Sequence, residues 1–119
     1  MRASRGEIKI EEILLKNDVN FQEEYEFPGL KSPNGKSLRF DFAIFDDDGN
    51  LDFLIEYQGK QHYQAVSKFG GTRGLYQQKF NDNLKRRYCM VNDIKLVEIP
   101  YVDENLITYD YIMKRGYDW

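Results

Sequence analysis

The chain has 119 residues, of which 41% are hydrophobic and 31% are charged, and its formal net charge is -3. These values suit one globular domain, exclude a collagen-like or low-complexity chain and argue against intrinsic disorder. No run approaches the roughly 18 apolar residues of a membrane span, and the N-terminal residues lack the apolar stretch of a signal peptide. Cys89 is the single cysteine, which excludes an internal disulfide. We expect residues 1–119 to form one cytoplasmic domain without a membrane partner.

Apolar periodicity and turn residues predict an α+β domain in the order αβββαβ, with a further helix at the end. The predicted elements are a helix over 4–17, strands over 20–27, 37–45 and 51–58, a helix over 72–91, a strand over 94–99 and a helix over 103–114. The first strand is rich in Gln and Glu, which favours a sheet edge, and 28–37 is predicted to be a loop. On the long helix we expect a buried, inert Cys89 and an apolar side formed by Leu75, Phe80, Leu84, Tyr88 and Val91.

The second and third strands flank an Asp-Gly pair, a strong hairpin signal. If Asp48 and Gly49 are the central residues of a type I′ turn, counting outward places Asp41 directly opposite Glu56. Ala43, Leu54, Arg39 and Gln58 share the face of these acids, and the other face is predicted to be a core face of Phe40, Phe42, Ile44, Phe53, Ile55 and Tyr57. A three-residue loop would shift the pairing by one residue and separate the acids.

Two directly opposed carboxylates repel each other, so a sequence built for stability alone should avoid them. A divalent cation reverses the sign of this interaction, because carboxylate oxygens are ligands that Mg²⁺ prefers. Gln58 lies on the same face and offers an amide oxygen or a partner for a water molecule. The alternative is that Asp41 and Glu56 are unrelated surface acids.

The motifs Arg39-Phe-Asp41-Phe and Leu54-Ile-Glu56-Tyr-Gln58 resemble the core of the PD-(D/E)XK nuclease superfamily. The likeness is closest to small restriction-like and homing-type endonucleases of bacteria and phages. It extends to Gly6-Glu7 on the first helix and to the segments 81–89 and 94–101. The resemblance implies a restriction-endonuclease-like αβββαβ core, with a central mixed sheet flanked by helices.

The resemblance implies that Asp41 is the metal-binding aspartate and Glu56 the second acid, and that Glu7 completes the metal site. For Glu7 the alternative is a capping box with Ser4, and Glu11, one turn further, could replace it as the third acid. Gln58 stands where the superfamily has a lysine, so another lysine, Lys60 or Lys85, is expected to assist.

Other polar residues follow these motifs. His62 is a candidate general acid or phosphate contact, with a structural role at the strand end as its alternative. Gln78, Asp82 and Lys85 share one side of the long helix, which is either a solvated face or a contributor to the site. Candidate DNA contacts are Lys60, Lys68, Arg73, Lys79, Arg86 and Arg87.

The sequence and the resemblance together predict a deoxyribonuclease that uses Mg²⁺, with Mn²⁺ as a substitute, to hydrolyse phosphodiester bonds in DNA. Cutting both strands requires a homodimer or two successive nicks, and a targeting module would lie on a separate domain or partner protein. One alternative is a nuclease-like module that binds DNA or regulates without catalysis. Another is a phage-encoded protein-interaction domain.

Overall fold

The computed structural model describes residues 4–60, 63, 65, 67 and 70–118. The helices and strands within these ranges are α1 (Arg5–Lys16), β1 (Asn20–Lys31), β2 (Ser37–Phe45), β3 (Leu51–Gln58), α2 (Gly71–Val91), β4 (Lys95–Pro100), a 3₁₀ helix (Tyr101–Leu106) and α3 (Tyr109–Tyr117). Of the helices in the described ranges, none combines the length and the apolar character needed to cross a membrane. The predicted positions of His62 and Lys68 lie outside the described residues.

The four strands form one mixed sheet in the order β1-β2-β3-β4. β1 and β3 are both antiparallel to β2, whereas β4 is parallel to β3. A parallel pair needs a long crossover connection, and α2 supplies it. α1 and α3 pack against one face of the sheet, and α2 packs against the other. The predicted mixed sheet flanked by helices is therefore confirmed, and Cys89 is buried as expected.

α1 begins where its capping residue predicts. The Ser4 hydroxyl accepts a hydrogen bond from the Glu7 N–H at 3.2 Å, and Ile10 and Leu14 on the same helix are fully buried. Gly6 lies directly on the ring of Tyr57 in β3, since a Cβ added there would lie 2.1 Å from a ring carbon. Only a glycine allows this close approach, which fixes the start of α1, and with it Glu7, against the sheet.

Two predicted boundaries are wrong. β1 continues through Pro28 and Gly29 to Lys31, so the first part of the predicted loop belongs to a strand. Pro28 is tolerated because β1 is an edge strand, where a missing N–H need not break a ladder. The predicted final helix is also interrupted. A 3₁₀ helix comes first, and α3 starts afresh with Thr108 as its N-cap, whose hydroxyl accepts from the Tyr111 N–H.

The turn of the β2–β3 hairpin differs from the predicted type I′ turn. The Gly49 N–H donates to the Asp46 carbonyl, and the Asp46 N–H donates to the Asn50 carbonyl, so three residues form the loop. A type I′ turn needs positive φ at both central residues, but Asp48 does not have it. Positive φ at non-glycine residues in the described ranges occurs at Asp18, Glu24 and Asp93.

A bulge restores the predicted register beyond this turn. Phe45 pairs with Leu51, and the next pair is Ile44 with Phe53, so Asp52 is an extra residue on β3. The three-residue loop shifts the pairing by one residue, and the bulge shifts it back. The acids of the predicted site are therefore brought together, although the turn prediction was wrong.

The predicted core face is wrong at Phe40. Phe42 packs in the cluster that contains α1 and α3, but Phe40 packs in the cluster on the α2 side. Alternate residues share a face only in a regular strand, so the alternation of side chains between the two faces is interrupted in β2 at Asp41. In the neighbouring strand, Glu24 has a φ of 52°, outside the extended region. The sheet is irregular where these two acids lie.

Gly6→Ala tests the contact that seats α1. Helix propensity alone would make this change stabilising by about 1 kcal/mol. We expect instead that the free energy of unfolding falls by about 1–3 kcal/mol, because the new methyl group overlaps the Tyr57 ring. Chemical denaturation followed by circular dichroism measures the change. Glu12→Ala, at an exposed position of the same helix, is the control, and equal stability of the two variants would contradict this packing.

Candidate active site

Three carboxylates from three different elements converge at the irregular part of the sheet. Glu7 comes from α1, Glu24 from β1 and Asp41 from β2, and one oxygen of each lies within 4.8 Å of the other two. The β1–β2 register on both sides of Glu24 places it opposite Asp41. We call these three residues the acidic cluster. Their oxygens are close enough to share one small cation.

Asp41 and Glu56 are locked to each other's strands by hydrogen bonds. The Tyr57 N–H donates to Asp41 Oδ2 at 2.7 Å, and the Asp41 N–H donates to Glu56 Oε2 at 3.3 Å. These carboxylates thus satisfy main-chain donors that the β2–β3 ladder would otherwise pair. The two acidic side chains are held next to each other, as the predicted register requires.

This crowding disfavours ionisation. The pKa of Asp41 is raised to about 9, mainly by burial and also by the Glu56 and Glu7 charges and a hydrogen bond to Glu56. Burial likewise raises the pKa of Glu7, and the charges of Glu24 and Glu56 contribute, while hydrogen bonds from Ser4 oppose the shift. A divalent cation among these oxygens would lower both pKa values, because it favours the charged forms of the carboxyl groups.

Glu56 is paired with a lysine from α2. Lys85 Nζ contacts Glu56 Oε1, and the two side chains are only 12% and 8% exposed. The same ammonium lies 5.5 Å from the centre of the Phe40 ring. Lys60, the other predicted candidate, is exposed. Of the two lysines, Lys85 is therefore the one that the fold places at the acids.

α2 turns a mixed side towards the sheet: Leu84 and Tyr88 of the predicted apolar side pack against the core, but polar residues share this side. Phe80 and Val91 are 54% and 73% exposed, whereas Asp82 is buried and Lys85 is nearly so. Gln78 Nε2 donates to Asp82 Oδ1 at 3.1 Å. The alternative of a solvated Gln78–Asp82–Lys85 face is therefore wrong, because this face lies against the sheet.

Gln58 is buried, but its amide is used away from the acidic cluster. The Tyr63 hydroxyl donates to Gln58 Oε1 at 2.6 Å, and Gln58 Nε2 donates to Glu98 Oε1 at 2.6 Å. Arg86 Nε donates to the same Glu98 oxygen at 2.8 Å. These bonds anchor the end of β3 to β4 and α2. They do not aim the amide at Asp41.

The predicted DNA contacts differ in their surroundings. Arg86 is engaged with Glu98 and with Asn83, whose Oδ1 accepts from it at 3.0 Å. The remaining candidates in the described ranges are exposed, namely Lys60, Arg73, Lys79 and Arg87. Glu11 is half-buried on α1, and the acidic cluster contains Glu7 rather than Glu11.

Sequence reasoning missed Glu24 and Glu98. Both could have been found by extending the register across the sheet. Glu24 lies opposite Asp41 on β1, and Glu98 pairs with Glu56 on β4. Each strand thus contributes one acid to a row across the sheet. The positive φ of Glu24 has no signal in the sequence, since glutamate rarely adopts it.

Comparison with known proteins identifies viral relatives. The chain is 33% identical over 109 residues to uncharacterized protein 094L of Frog virus 3 (isolate Goorha), across 89% of this chain and 68% of that protein. This chain belongs to the 094L family. It is also 35% identical over 85 residues to uncharacterized protein 307L of Invertebrate iridescent virus 6, and 42% identical over 48 residues to uncharacterized protein 033L of Invertebrate iridescent virus 3.

These matches cover different shares of each protein. The 307L match spans 69% of this chain but 43% of 307L, and the 033L match spans 40% of this chain and 25% of 033L. The chain therefore covers less than half of either of these two relatives. No family model matches the chain, and no solved structure matches it.

The raised pKa of Asp41 predicts how stability depends on pH in the absence of divalent cations. The folded protein binds the Asp41 proton more tightly than the unfolded chain does, so between about pH 4 and pH 9 stability falls as the pH rises. Asp41→Asn removes the need to protonate this carboxyl on folding and retains an oxygen for the Tyr57 N–H. At pH 8 in EDTA, we expect it to raise the free energy of unfolding by about 1 kcal/mol or more.

Urea denaturation at pH 5 and pH 8 measures this effect. Glu12→Gln, which neutralises an exposed carboxylate on α1, is the matched control and should change little. An Asp41→Asn protein that is less stable than the parent at pH 8 would contradict the crowding of these acids.

Proposed function

We propose that this chain is a metal-dependent DNA endonuclease with a restriction-endonuclease-like core. The observation that carries the proposal is the convergence of the Glu7, Glu24 and Asp41 carboxylates beside the buried Glu56–Lys85 pair. The acids of the β2–β3 hairpin and a lysine are the components that the PD-(D/E)XK resemblance implies. The order of helices and strands agrees with that resemblance.

The residues of the acidic cluster fit a hard divalent cation. They offer three carboxylates with oxygens within 4.8 Å of one another, and Mg²⁺ and Mn²⁺ prefer oxygen ligands. Burial and neighbouring acidic charges raise the pKa values of Glu7 and Asp41, and a bound cation would oppose this increase. When bound, such a cation supplies a Lewis acid for a phosphate oxygen and favours ionisation of a water molecule.

Lys85 takes the role that the superfamily gives to the lysine replaced here by Gln58. Glu56, which lies beside Asp41, holds the Lys85 ammonium in a mostly buried setting. A fixed positive charge there stabilises the negative charge that develops on the phosphate during hydrolysis. Gln58, anchored by Tyr63 and Glu98, positions the end of β3.

DNA is the proposed substrate because exposed basic residues accompany these acids. Arg73, Lys79 and Arg87 lie on α2, the helix that also carries Lys85, and Lys60 follows β3. Contacts of this kind to phosphates position a duplex without reading its sequence. With one site per chain, cutting both strands requires a homodimer or two successive nicks.

Metal binding is tested separately from cleavage. We expect Mg²⁺ or Mn²⁺ to raise the thermal midpoint of the protein relative to EDTA, because a ligand at 100 times its Kd stabilises the folded state by about 2.7 kcal/mol. Glu24→Gln should reduce this increase, whereas Glu26→Gln, a neighbouring exposed position on β1, should leave it unchanged. Equal metal-induced shifts in all three proteins would exclude Glu24 as a ligand.

Cleavage of supercoiled plasmid and of single-stranded DNA tests the activity. With Mg²⁺, we expect Asp41→Asn to lose at least about 100-fold in rate, since it weakens the metal site. Lys85→Met should lose about 100- to 1000-fold, the usual cost of one transition-state contact. Lys114→Met and Glu12→Gln, at exposed positions away from the acids, are the matched controls.

Circular dichroism and cooperative thermal unfolding in EDTA establish that each variant is folded. Metal and DNA binding without cleavage by the parent protein would contradict the nuclease proposal in favour of a binding or regulatory module. Binding of neither would contradict it in favour of a protein-interaction domain. Cleavage that survives Asp41→Asn would mean that the acids are assigned wrongly.

A further inference from the structure

A cleft of about 370 Å³ lies between α2 and the turn that joins β1 to β2. Pro33 of the turn forms one wall, and Tyr76 and Phe80 of α2 form the other. This volume lies in the range of small-molecule sites. The cleft and the polar stripe of Asp82 and Lys85 occupy different sides of the same helix.

Two aromatic rings of this cleft are open to solvent. Tyr76 is 69% exposed and Phe80 is 54% exposed. They are four residues apart on α2, so the side chains are neighbours on one helical face. Large rings left in water mark a surface that another molecule covers. Flat faces of this kind suit a flat, aromatic ligand.

The polar groups at the rim of the cleft are mainly amides. Asn34 of the turn and Gln77 and Asn81 of α2 all line it. Each amide offers both a donor and an acceptor, as do the edges of the nucleobases. A purely hydrocarbon ligand would make no use of these donors and acceptors. The lining therefore favours a heteroaromatic ring over an aliphatic chain.

The two chain segments that line the cleft carry basic residues and no acid, although the chain as a whole is acidic. Residues 27–37, which contain the turn, include Lys31 and Lys36 and no acid. Residues 70–81, which form the first half of α2, include Arg73 and Lys79 and no acid. A ligand with an anionic part is therefore favoured over a neutral or cationic one.

We propose that this cleft binds an unpaired nucleobase of a DNA strand, stacked on Tyr76 and Phe80, with the nearby lysines and arginine contacting its phosphates. A base within a duplex presents no free face, so only a single-stranded or unpaired nucleotide can enter. The inference rests on the proposed function and deepens it, because it names single-stranded or branched DNA as the substrate class. The cleft lies on α2, the helix whose Lys85 contacts Glu56, so the same helix would bind the strand and reach the acids of the β2–β3 hairpin.

Binding of fluorescein-labelled dT20 to the full chain in EDTA tests the inference without any cleavage. We expect Tyr76→Ala with Phe80→Ala to weaken binding roughly 5- to 100-fold, the usual range for lost base stacking. Tyr76→Phe should keep the parent affinity, because it retains the ring. Met90→Ala, which is also on α2 and is 77% exposed in the parent, is the matched control. A blunt duplex should bind more weakly and should not respond to these changes.

Unchanged dT20 binding by the double variant would overturn the inference, and so would an equal loss for dT20 and the duplex. Loss of self-association with dT20 affinity intact would assign the cleft to a second copy of the chain instead. The two proposals fail separately. If the chain cuts no DNA but binds dT20 through Tyr76 and Phe80, only the nuclease proposal is overturned. If the chain cuts DNA but its affinity for dT20 does not depend on these two rings, only the proposal for the cleft is overturned.

Discussion

The structure depends on two hydrogen bonds at the place where β2 and β3 part. Asp41 accepts from the Tyr57 N–H, and Glu56 accepts from the Asp41 N–H. These bonds hold together two acidic side chains that would otherwise separate. Tyr57 links the neighbouring elements as well, since its ring lies against Gly6 and its hydroxyl donates to Glu104 at 3.3 Å. Position and charge in the site are thus fixed by main-chain geometry rather than by flexible side chains.

Well-packed surroundings offset the unfavourable free energy of crowding these acids. The sheet on the α1 side is closed by fully buried residues of α1 and β3 such as Ile10, Leu14 and Ile55. In the described parts of the chain, no buried side-chain nitrogen or oxygen lacks a hydrogen-bond partner. Rigid packing of this kind keeps the acidic side chains closer together than they would lie in water.

α2 makes a different contribution, because it serves two surfaces at once. Its inward side supplies Lys85 to the acids, and its outward side supplies Tyr76 and Phe80 to the cleft. This division explains why the helix lacks a simple amphipathic pattern. Any displacement of α2 would alter both surfaces together.

Much of the fold follows from the sequence alone. The bounds of β2 and β3 and the approach of Asp41 to Glu56 are predictable because alternating patterns and a turn signal lie close together in the chain. The presence of Asp82 and Lys85 on the sheet side of α2 is not predictable in this way, because these buried residues find partners only in the folded chain. The same holds for Glu24, whose backbone conformation depends on its neighbours in the sheet.

The bulge at Asp52 reverses the one-residue register shift that the three-residue hairpin loop introduces. Its side chain accepts a hydrogen bond from the Tyr117 hydroxyl of α3 at 2.7 Å, so the extra residue is tied to the far end of the described chain. A relative that gains or loses one loop residue can keep its acids in line only by altering this bulge too. Length changes in this hairpin should therefore arise in compensating pairs across the 094L family, and α3 should vary with them.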